Sequence, residues 1–312
     1  MTGGAGFIGL HLAARLARDG QQVRILDSLV SDASQRRAAV LAQMPGVEII
    51  TGDIRDAGVC RQALGDADFV FHHAAEVSVP QSIEDPAACV AVNLGGLVNL
   101  LEAAHGTVQR FVFASSCAVY GNLPGEEKSE DAPTDPLSPY ASSKLAGEYL
   151  CRNYFHLHGL PTVCLRYFNV YGPNQDPNGA YAAVIPKFIT AILQNEKPVV
   201  YGDGEQSRDF VFVEDIAEAN LLASRAPREA LGRSLNIGSG RSTSLNQILE
   251  KLAFSTDKVL ALDRRQTRTG DIRHSRADIR AAAKMLDFSP KVSLEDGLAR
   301  TLHWYQSEQS QI

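Results

Sequence analysis

The chain has 312 residues, a length that suits either one large hydrophobic core or two smaller ones. Hydrophobic residues make up 45% of it and charged residues 21%, which are ordinary values for a globular protein and argue against a disordered chain. With 30 basic and 36 acidic residues the formal charge is −6, so the chain lacks the positive surface that attracts nucleic acid or an anionic membrane. We therefore expect neither nucleic acid nor a membrane as a partner.

The apolar runs and the cysteines argue against a membrane-spanning, secreted or metal-binding protein. No apolar run approaches the ~20 residues that cross a bilayer, and the N-terminus lacks the basic-then-apolar layout of a secretory signal. The cysteines, an odd number without a Cys-x-x-Cys pair, are Cys60, Cys89, Cys117, Cys151 and Cys164. This pattern predicts buried thiols in a reducing cytoplasm, with neither disulfides nor a metal site.

Short apolar runs alternate with longer amphipathic segments through the first half of the chain. The runs predicted to be strands are residues 22–26, 47–50, 69–71, 110–114 and 162–166. The segments predicted to be helices are residues 9–18, 91–104 and 141–156. This alternation predicts an α/β fold with a Rossmann-type doubly wound parallel sheet and helices on both of its faces.

The pattern changes after about residue 170, where prolines and glycines become frequent. A helix start is predicted within residues 209–219 and a strand within residues 235–238, and both are expected to return to the first domain. We therefore expect one domain formed by residues 1–170 with 206–240 returning to it. Residues 171–205 plus 241–312 are expected to form a smaller C-terminal α/β domain.

A glycine-rich loop opens the chain with the pattern Gly3-x-x-Gly6-x-x-Gly9 and leads into the first predicted helix. Such a loop lets the backbone approach a pyrophosphate, and the N-terminus of the helix supplies amide donors. Asp27 follows 18 residues after Gly9, where a carboxylate binds ribose hydroxyls and disfavours the 2′-phosphate of NADP; taken alone, Asp27 is equally well a turn residue. The pattern predicts NAD binding by Gly3, Gly6, Phe7, Ile8, Gly9 and Asp27.

A strand is expected before such a loop, yet only Met1 precedes Thr2 in this sequence. A sheet without its central strand would leave the edges of the neighbouring strands unpaired. We hypothesise that the native chain starts several residues earlier, for example because a GTG valine codon was read as the initiator.

A serine, a tyrosine and a lysine form the candidate catalytic set. The predicted strand 110–114 runs into Ser116, and Tyr140-x-x-x-Lys144 places two side chains on one face of a helix. An ammonium beside a phenol lowers the phenol pKa, which makes Tyr140 a candidate general base. An isolated Tyr-x-x-x-Lys usually marks a surface pair, but its combination with the glycine-rich loop predicts catalysis.

Segments along nearly the whole chain resemble the extended short-chain dehydrogenase/reductases, that is, the NAD-dependent epimerase/dehydratase family. The matching segments are residues 2–9, 52–54, 72–75, 115–121, 140–144, 166–172, 208–210, 236–238 and 268–271. The resemblance implies that residues 1–170 form an NAD-binding domain and that the C-terminal domain binds a nucleotide sugar. It further implies that Asp53 and Ile54 flank the adenine, that Ala74 and Ala75 line the dinucleotide path, and that Tyr167 borders the nicotinamide.

Local residues distinguish the activities within this family. Nucleotide-sugar 4,6-dehydratases carry an Asp-Glu pair after the catalytic serine or threonine, where this chain has Cys117-Ala118. UDP-glucuronate decarboxylases usually carry glutamate where Ala118 stands. The 4-epimerases need only the serine, tyrosine and lysine, so the resemblance favours 4-epimerisation of a UDP-hexose.

The likeness extends to bacterial UDP-N-acetylglucosamine and UDP-glucose 4-epimerases through residues 78–82, 180–187 and 268–275. It implies a UDP-sugar held by Val79, Ser116, Asn169, Val184, Arg208, Arg268, Asp271 and Ser275. In this set, Asn169 and Arg208 would hold the diphosphate with Arg268 beside it, and Asp271 would bond a uridine ribose hydroxyl. Arginine suits phosphate because its guanidinium forms two parallel hydrogen bonds.

Ser275 bears on the choice of sugar. Glucose-only epimerases carry a tyrosine at the matching position, whereas a serine leaves room for an N-acetyl group; the alternative is that Ser275 is a small surface residue. We thus expect both plain and N-acetylated UDP-hexoses as substrates. The competing hypotheses are a UDP-glucuronate 4-epimerase or other nucleotide-sugar epimerase, and a non-catalytic NAD-binding sensor. By analogy with relatives, the helices at 91–104 and 141–156 would form a homodimer interface.

Overall fold

The computed structural model describes residues 1–123, 125–177, 183–267 and 273–309. Its helices are α1 (Phe7–Arg18), α2 (Asp32–Leu41), α3 (Ala57–Leu64), α4 (Val79–Glu84), α5 (Pro86–Val90), α6 (Gly96–Ala104), α7 (Pro139–His158), α8 (Val184–Leu193), α9 (Val213–Ser224), α10 (Leu245–Thr256), α11 (Arg280–Leu286) and α12 (Leu294–Gln309). Its strands are β1 (Val23–Asp27), β2 (Val47–Thr51), β3 (Phe69–His72), β4 (Arg110–Ser116), β5 (Glu127–Lys128), β6 (Thr162–Tyr167), β7 (Asn169–Tyr171), β8 (Val199–Tyr201), β9 (Ser207–Arg208), β10 (Phe210–Phe212), β11 (Arg233–Ile237), β12 (Thr243–Ser244), β13 (Asp263–Arg265) and β14 (His274–Ala277).

A parallel sheet lies at the centre of the first part of the fold. Its strands are ordered β2-β1 on one side of Thr2 and β3-β4-β6-β11 on the other. Thr2 forms bridges to both Leu26 of β1 and His72 of β3, so it occupies the central position of the sheet. An order that runs outward from the centre in both directions is that of a doubly wound sheet, which confirms the predicted fold class. The hypothesis of an earlier native start stays a prediction.

The strands predicted in the first half of the chain are all present, each extended by one or two residues at its carboxyl end. The prediction for residues 209–219 was wrong at its start. Phe210–Phe212 is a fully buried strand, and the helix begins only at Val213. Alternating aromatic and β-branched side chains favour the strand, while Glu214 and Asp215 favour the first turn of the helix that follows.

Hydrophobic helices cover both faces of the central sheet. Helices α3, α6 and α7 pack on one face, and α1, α9 and α11 lie over the other. Full burial of an aliphatic or aromatic side chain stabilises the fold by about 1.5–3 kcal/mol. Helices α8, α10 and α12 bury their apolar side chains in a separate cluster with β10, so the C-terminal part has its own core.

One helical segment corrects the expectation about apolar length. Residues Pro86–Ala104 are, by length and composition, apolar enough to cross a membrane. In the fold, this segment contains α5, a π-helical turn at Ala91–Gly95, and α6. Leu97, Leu100 and Leu101 are completely buried in the hydrophobic cluster on one face of the sheet. The segment is therefore apolar because it packs in the core of the fold.

Candidate active site

A cavity of about 700 Å³ opens at the carboxyl ends of the strands of the central sheet. This is the edge at which open α/β sheets bind their ligands. The cavity brings together every residue predicted to contact the cofactor: Gly3, Gly6, Phe7, Ile8, Gly9, Asp27, Asp53, Ile54, Ala74, Ala75, Tyr140, Lys144 and Tyr167. Ser116 lines it as well. We refer to it below as the cofactor cavity.

The glycine-rich loop has the shape that a bound diphosphate requires. Gly3 adopts a φ of +66°, and a Cβ atom there would lie 2.5 Å from the amide nitrogen of Ala74. A Cβ atom on Gly9 would lie 2.1 Å from the carbonyl oxygen of Gly3. The N-cap of α1 is Gly6, which has no side chain to bond the first amides of the helix. Those amides are therefore suited to bind an anion.

Two carboxylates occupy the adenosine end of the cofactor cavity. Asp27 ends β1 and accepts hydrogen bonds from the backbone amides of Ala5 and Leu29, each at 3.0 Å. These bonds hold the carboxylate in the cavity wall, where its other lone pairs suit ribose hydroxyls. Asp53 forms an ion pair with Arg55, whose hydrogen bonds lower the pKa of this carboxyl. The positions of both carboxylates in the cofactor cavity are compatible with NAD as the cofactor.

The three predicted catalytic residues meet at the other end of the cofactor cavity. Ser116 is the last residue of β4, and Tyr140 lies in the first turn of α7. Lys144 follows one turn later, with its Nζ atom 5.9 Å from the centroid of the Tyr140 ring. That Nζ atom donates a hydrogen bond to the carbonyl oxygen of Ala114 at 2.8 Å.

The predicted lowering of the Tyr140 pKa is not found. Burial raises the pKa of Tyr140 to about 12, and a hydrogen bond with Ser116 opposes this only in part. Burial also lowers the pKa of Lys144 to about 8. Burial is the largest cause of both shifts, because desolvation disfavours the phenolate and the ammonium alike.

The adjacent histidines have structural partners. His72 is buried and shares a 2.7 Å hydrogen bond with the Thr2 hydroxyl. The ring of His73 stacks on Tyr167, with 3.1 Å between its Nε2 and the Tyr167 hydroxyl, and burial lowers its pKa to about 3. Tyr167 is also hydrogen-bonded to Asn220. Across the described residues, no group of three or more His, Cys, Asp or Glu side chains is arranged to hold a metal ion.

A second cavity of about 790 Å³ adjoins the first and extends between β7, β10 and α8. It contains three of the predicted substrate residues, Asn169, Val184 and Arg208. The two cavities share lining residues, namely Val77, Tyr140, Val170 and Gln175. Tyr140 therefore lies at their junction. We call the second space the substrate cavity.

The remaining predicted substrate residues are placed differently. Val79 begins α4 and Ser275 is buried on β14, and neither lines the two cavities. Ser275 is nevertheless paired with Arg208 across β14 and β9. Arg268 and Asp271 lie outside the described residues.

Sequence reasoning missed several residues that line the substrate cavity. They include Lys187, Phe188, Lys197, Tyr201, Gln206 and Leu245. Lys187 lies in segment 180–187, which is part of the family resemblance, so this motif could have indicated Lys187 as a lining residue of the substrate cavity. The others come from separate elements, and no local pattern connects them.

Comparison with known proteins agrees with this geometry. The profile of the NAD-dependent epimerase/dehydratase family matches residues 1–238. The chain is 36% identical to a putative UDP-glucose 4-epimerase of Methanocaldococcus jannaschii over 98% of each chain. Its structure matches the UDP-N-acetylglucosamine 4-epimerase of Methanobrevibacter ruminantium M1 with a TM-score of 0.92, 38% identity, and coverage of 98% of this chain and 97% of that one. It also matches the UDP-glucose 4-epimerase of Thermotoga maritima, with a TM-score of 0.92, 33% identity, and coverage of 99% of this chain and 98% of that one.

Other relatives are named for different activities. One is a UDP-glucuronic acid 4-epimerase from Bacillus cereus, solved with NAD, at 31% identity and a TM-score of 0.91 over 98% of each chain. Another is a dTDP-glucose 4,6-dehydratase of Streptomyces niveus, at 34% identity over 99% of this chain and 93% of that one. The chain therefore belongs to the NAD-dependent epimerase/dehydratase family. Its cofactor is NAD, and it belongs to an enzymatic family whose members act on several nucleotide sugars.

Replacing Lys144 with methionine should stabilise the protein after removal of NAD. The Lys144 pKa is about 8 in the fold against 10.5 when unfolded, so the charged form costs free energy below pH 8. The variant should gain up to about 3 kcal/mol in free energy of unfolding near neutral pH. Because the unfolded state binds more protons between these two pKa values, wild type recovers this difference as the pH rises from 8 to 10.5. Urea unfolding across that range measures it.

The exposed Lys284 on α11 provides the control for the loss of a lysine side chain, and Lys284→Met should not reproduce the stabilisation expected of Lys144→Met. A Lys144→Met variant whose stability relative to wild type is independent of pH would contradict the depressed pKa.

Proposed function

We propose that this chain is a UDP-sugar 4-epimerase that acts on UDP-glucose and UDP-galactose and also on their N-acetylated counterparts. The observation that carries the proposal is the position of Tyr140 at the junction of the two cavities, with Ser116 and Lys144 beside it. Cys117 and Ala118 occupy the positions at which dehydratases hold an acid–base pair, which supports epimerisation over dehydration. We also propose that the enzyme works in the cytoplasm, where its free cysteines stay reduced.

Anchoring of the substrate comes from the substrate cavity. Arg208 and Asn169 line this cavity and are proposed to bind the diphosphate. From the family resemblance, Arg268 is proposed to assist at the diphosphate and Asp271 to bond the uridine ribose. Val184 contributes apolar surface. With the nucleotide fixed, the hexose reaches toward the junction where Tyr140 lies, and it can turn over while its anchor stays in place.

Proton transfer is the task of Tyr140. The Tyr140 oxygen takes the proton of the sugar 4-hydroxyl, and Ser116 donates a hydrogen bond to the same sugar oxygen. NAD⁺, when bound, would supply reversible hydride chemistry at C4 and a positive charge near the phenol. Lys144 is proposed to bind the nicotinamide ribose. Tyr140 then returns the proton to the reduced sugar, so the protein ends the cycle unchanged.

The raised pKa of Tyr140 has a consequence for this mechanism. A phenol with a pKa of about 12 is almost fully protonated near neutral pH. The cationic nicotinamide ring and the Lys144 ammonium both favour the phenolate, so general-base activity is expected only in the complex with oxidised cofactor. The same dependence prevents Tyr140 from acting as a base while the site lacks its oxidant.

Tyr140→Phe should lower kcat by about 10²–10⁴-fold, because the proton acceptor of the sugar 4-hydroxyl is lost. The measurement is conversion of UDP-galactose to UDP-glucose, with the amount of NAD per chain determined alongside. Tyr154→Phe on the same helix changes a tyrosine that lines neither cavity, so it is the matched control and should keep wild-type turnover. Near-full activity of Tyr140→Phe would remove Tyr140 from the mechanism.

Ser275→Tyr should reduce turnover of UDP-N-acetylglucosamine while sparing UDP-glucose. Ser275 is paired with Arg208 of the substrate cavity, and a bulky ring at this position is expected to extend into the space proposed for the acetamide. Ser275→Ala keeps the position small and should spare both substrates. Both are measured as kcat/KM for the two sugars, alongside UDP-glucuronate. Equal losses on both neutral sugars would contradict the role of Ser275, and preference for UDP-glucuronate would identify the enzyme as a uronate epimerase.

We further propose a homodimer formed by the α5–α6 segment and α7. These helices pack against each other and leave apolar side chains at their surface: Val90, Val98 and Tyr149 are 46%, 37% and 48% exposed. Replacing Val98 and Tyr149 together by glutamate should convert the dimer to a monomer in light scattering. Phe254→Glu, which changes an exposed apolar residue on α10, should leave the mass unchanged. A wild-type protein with the mass of one chain would contradict the dimer.

A further inference from the structure

Arg37 lies on α2 at the wall of the cofactor cavity, and no motif in the sequence pointed to it. Its Nη1 atom donates to the carbonyl oxygen of Ala5 at 3.4 Å, within the glycine-rich loop. Its Nη2 atom donates to the carbonyl oxygen of Asn174 at 2.7 Å. The side chain is half-buried and lines the cavity. The guanidinium therefore lies beside the loop whose next residue, Gly6, begins the anion-binding turn of α1.

The positions of the cationic side chains along the cofactor cavity indicate what Arg37 could bind. Among its described lining residues, Arg55 is paired with Asp53 at the adenine end. Lys144 donates to Ala114 at the catalytic end. Arg37 is the cation located between these ends, next to the phosphate-binding loop. A guanidinium has five N–H donors in a planar fork, and the two bonds to carbonyl oxygens leave donors for a ligand.

We propose that Arg37 binds the diphosphate of NAD, adding a side-chain cation to the backbone amides of the glycine-rich loop. The N-terminus of a helix contributes only about half a unit of positive charge, which is less than the charge of the diphosphate. Arg37 adds one unit of positive charge from a neighbouring helix, so the close approach that the glycines allow is preserved. This inference concerns the cofactor and holds whichever sugar is the substrate.

The loop that follows β7 holds the guanidinium in place. His11 of α1 bonds to the carbonyl oxygen of Pro173 at 2.9 Å, and Tyr305 of α12 donates to the carbonyl oxygen of Gln175. Asn174 between them has a φ of +67° and presents its carbonyl oxygen to Arg37. Because these contacts already fix the long Arg37 side chain, binding the diphosphate costs little further side-chain entropy.

The first test measures cofactor release from the holoenzyme. Protein loaded with isotopically labelled NAD⁺ is diluted into unlabelled NAD⁺, and the loss of label is followed for wild type, Arg37→Gln and Arg37→Lys. Arg37→Gln should release NAD roughly tenfold faster or more, and Arg37→Lys should lie between it and wild type. The exposed neighbour Arg36 does not line the cavity, so Arg36→Gln should behave as wild type.

The second test assigns the effect to the diphosphate. ADP and adenosine compete with NAD⁺ in the same holoenzyme preparations, and the ratio of their affinities isolates the contribution of the phosphates. Arg37→Gln should lower the preference for ADP over adenosine by roughly tenfold. If the variant does not fold, Arg37→Lys answers the question, since it should lower the same ratio by a smaller factor.

Three results would overturn the proposal. An unchanged rate of NAD release would show that Arg37 makes no contribution. Faster release with an unchanged ratio of ADP to adenosine affinity would show that Arg37 only shapes the loop. A loss of affinity confined to NADP⁺ would place the guanidinium at the ribose 2′-position instead of the diphosphate.

Discussion

The buried ion pair between Glu148 and Arg166 is the interaction on which the geometry of the site depends. Its oxygen–nitrogen distance is 2.7 Å, and both side chains are more than nine-tenths buried. Glu148 also accepts hydrogen bonds from Ser115 of β4 and Ser234 of β11, so one carboxylate ties α7 to three neighbouring strands. Removing one partner of such a pair typically costs about 3–5 kcal/mol, because the other charge remains buried. The helix that carries Tyr140 is thereby fixed against the strand that ends in Ser116.

Packing that helix into the interior disfavours the charged forms of Tyr140 and Lys144, and the proposed mechanism depends on this effect. Lys144 is buried and Tyr140 is partly buried, and desolvation shifts the pKa of each group so that its neutral form is favoured. The protein without oxidised cofactor therefore holds a neutral phenol and a destabilised ammonium. In the proposed mechanism, a cationic cofactor would relieve the first of these effects and so link proton abstraction to the presence of the oxidant.

Much of the fold and of the cofactor site was predictable because the relevant signals are local. The glycine spacing, Asp27 at a strand end, and the Tyr140–Lys144 spacing each lie within a few residues, and all converge in one cavity. The direction of the Tyr140 pKa was not predictable, because it depends on burial by distant parts of the chain. Arg37 was missed for the same reason: its partner Asn174 lies 137 residues away in sequence.

The proposed mechanism depends on oxidation and re-reduction of the sugar at C4 by the same bound cofactor. The most direct test supplies UDP-galactose labelled with deuterium at C4, without added NAD, and follows the products by NMR and mass spectrometry. The account predicts UDP-glucose that retains the deuterium at C4, with no hydrogen from solvent at that carbon. Loss of the label to solvent, or a 4-keto-6-deoxy product, would contradict it.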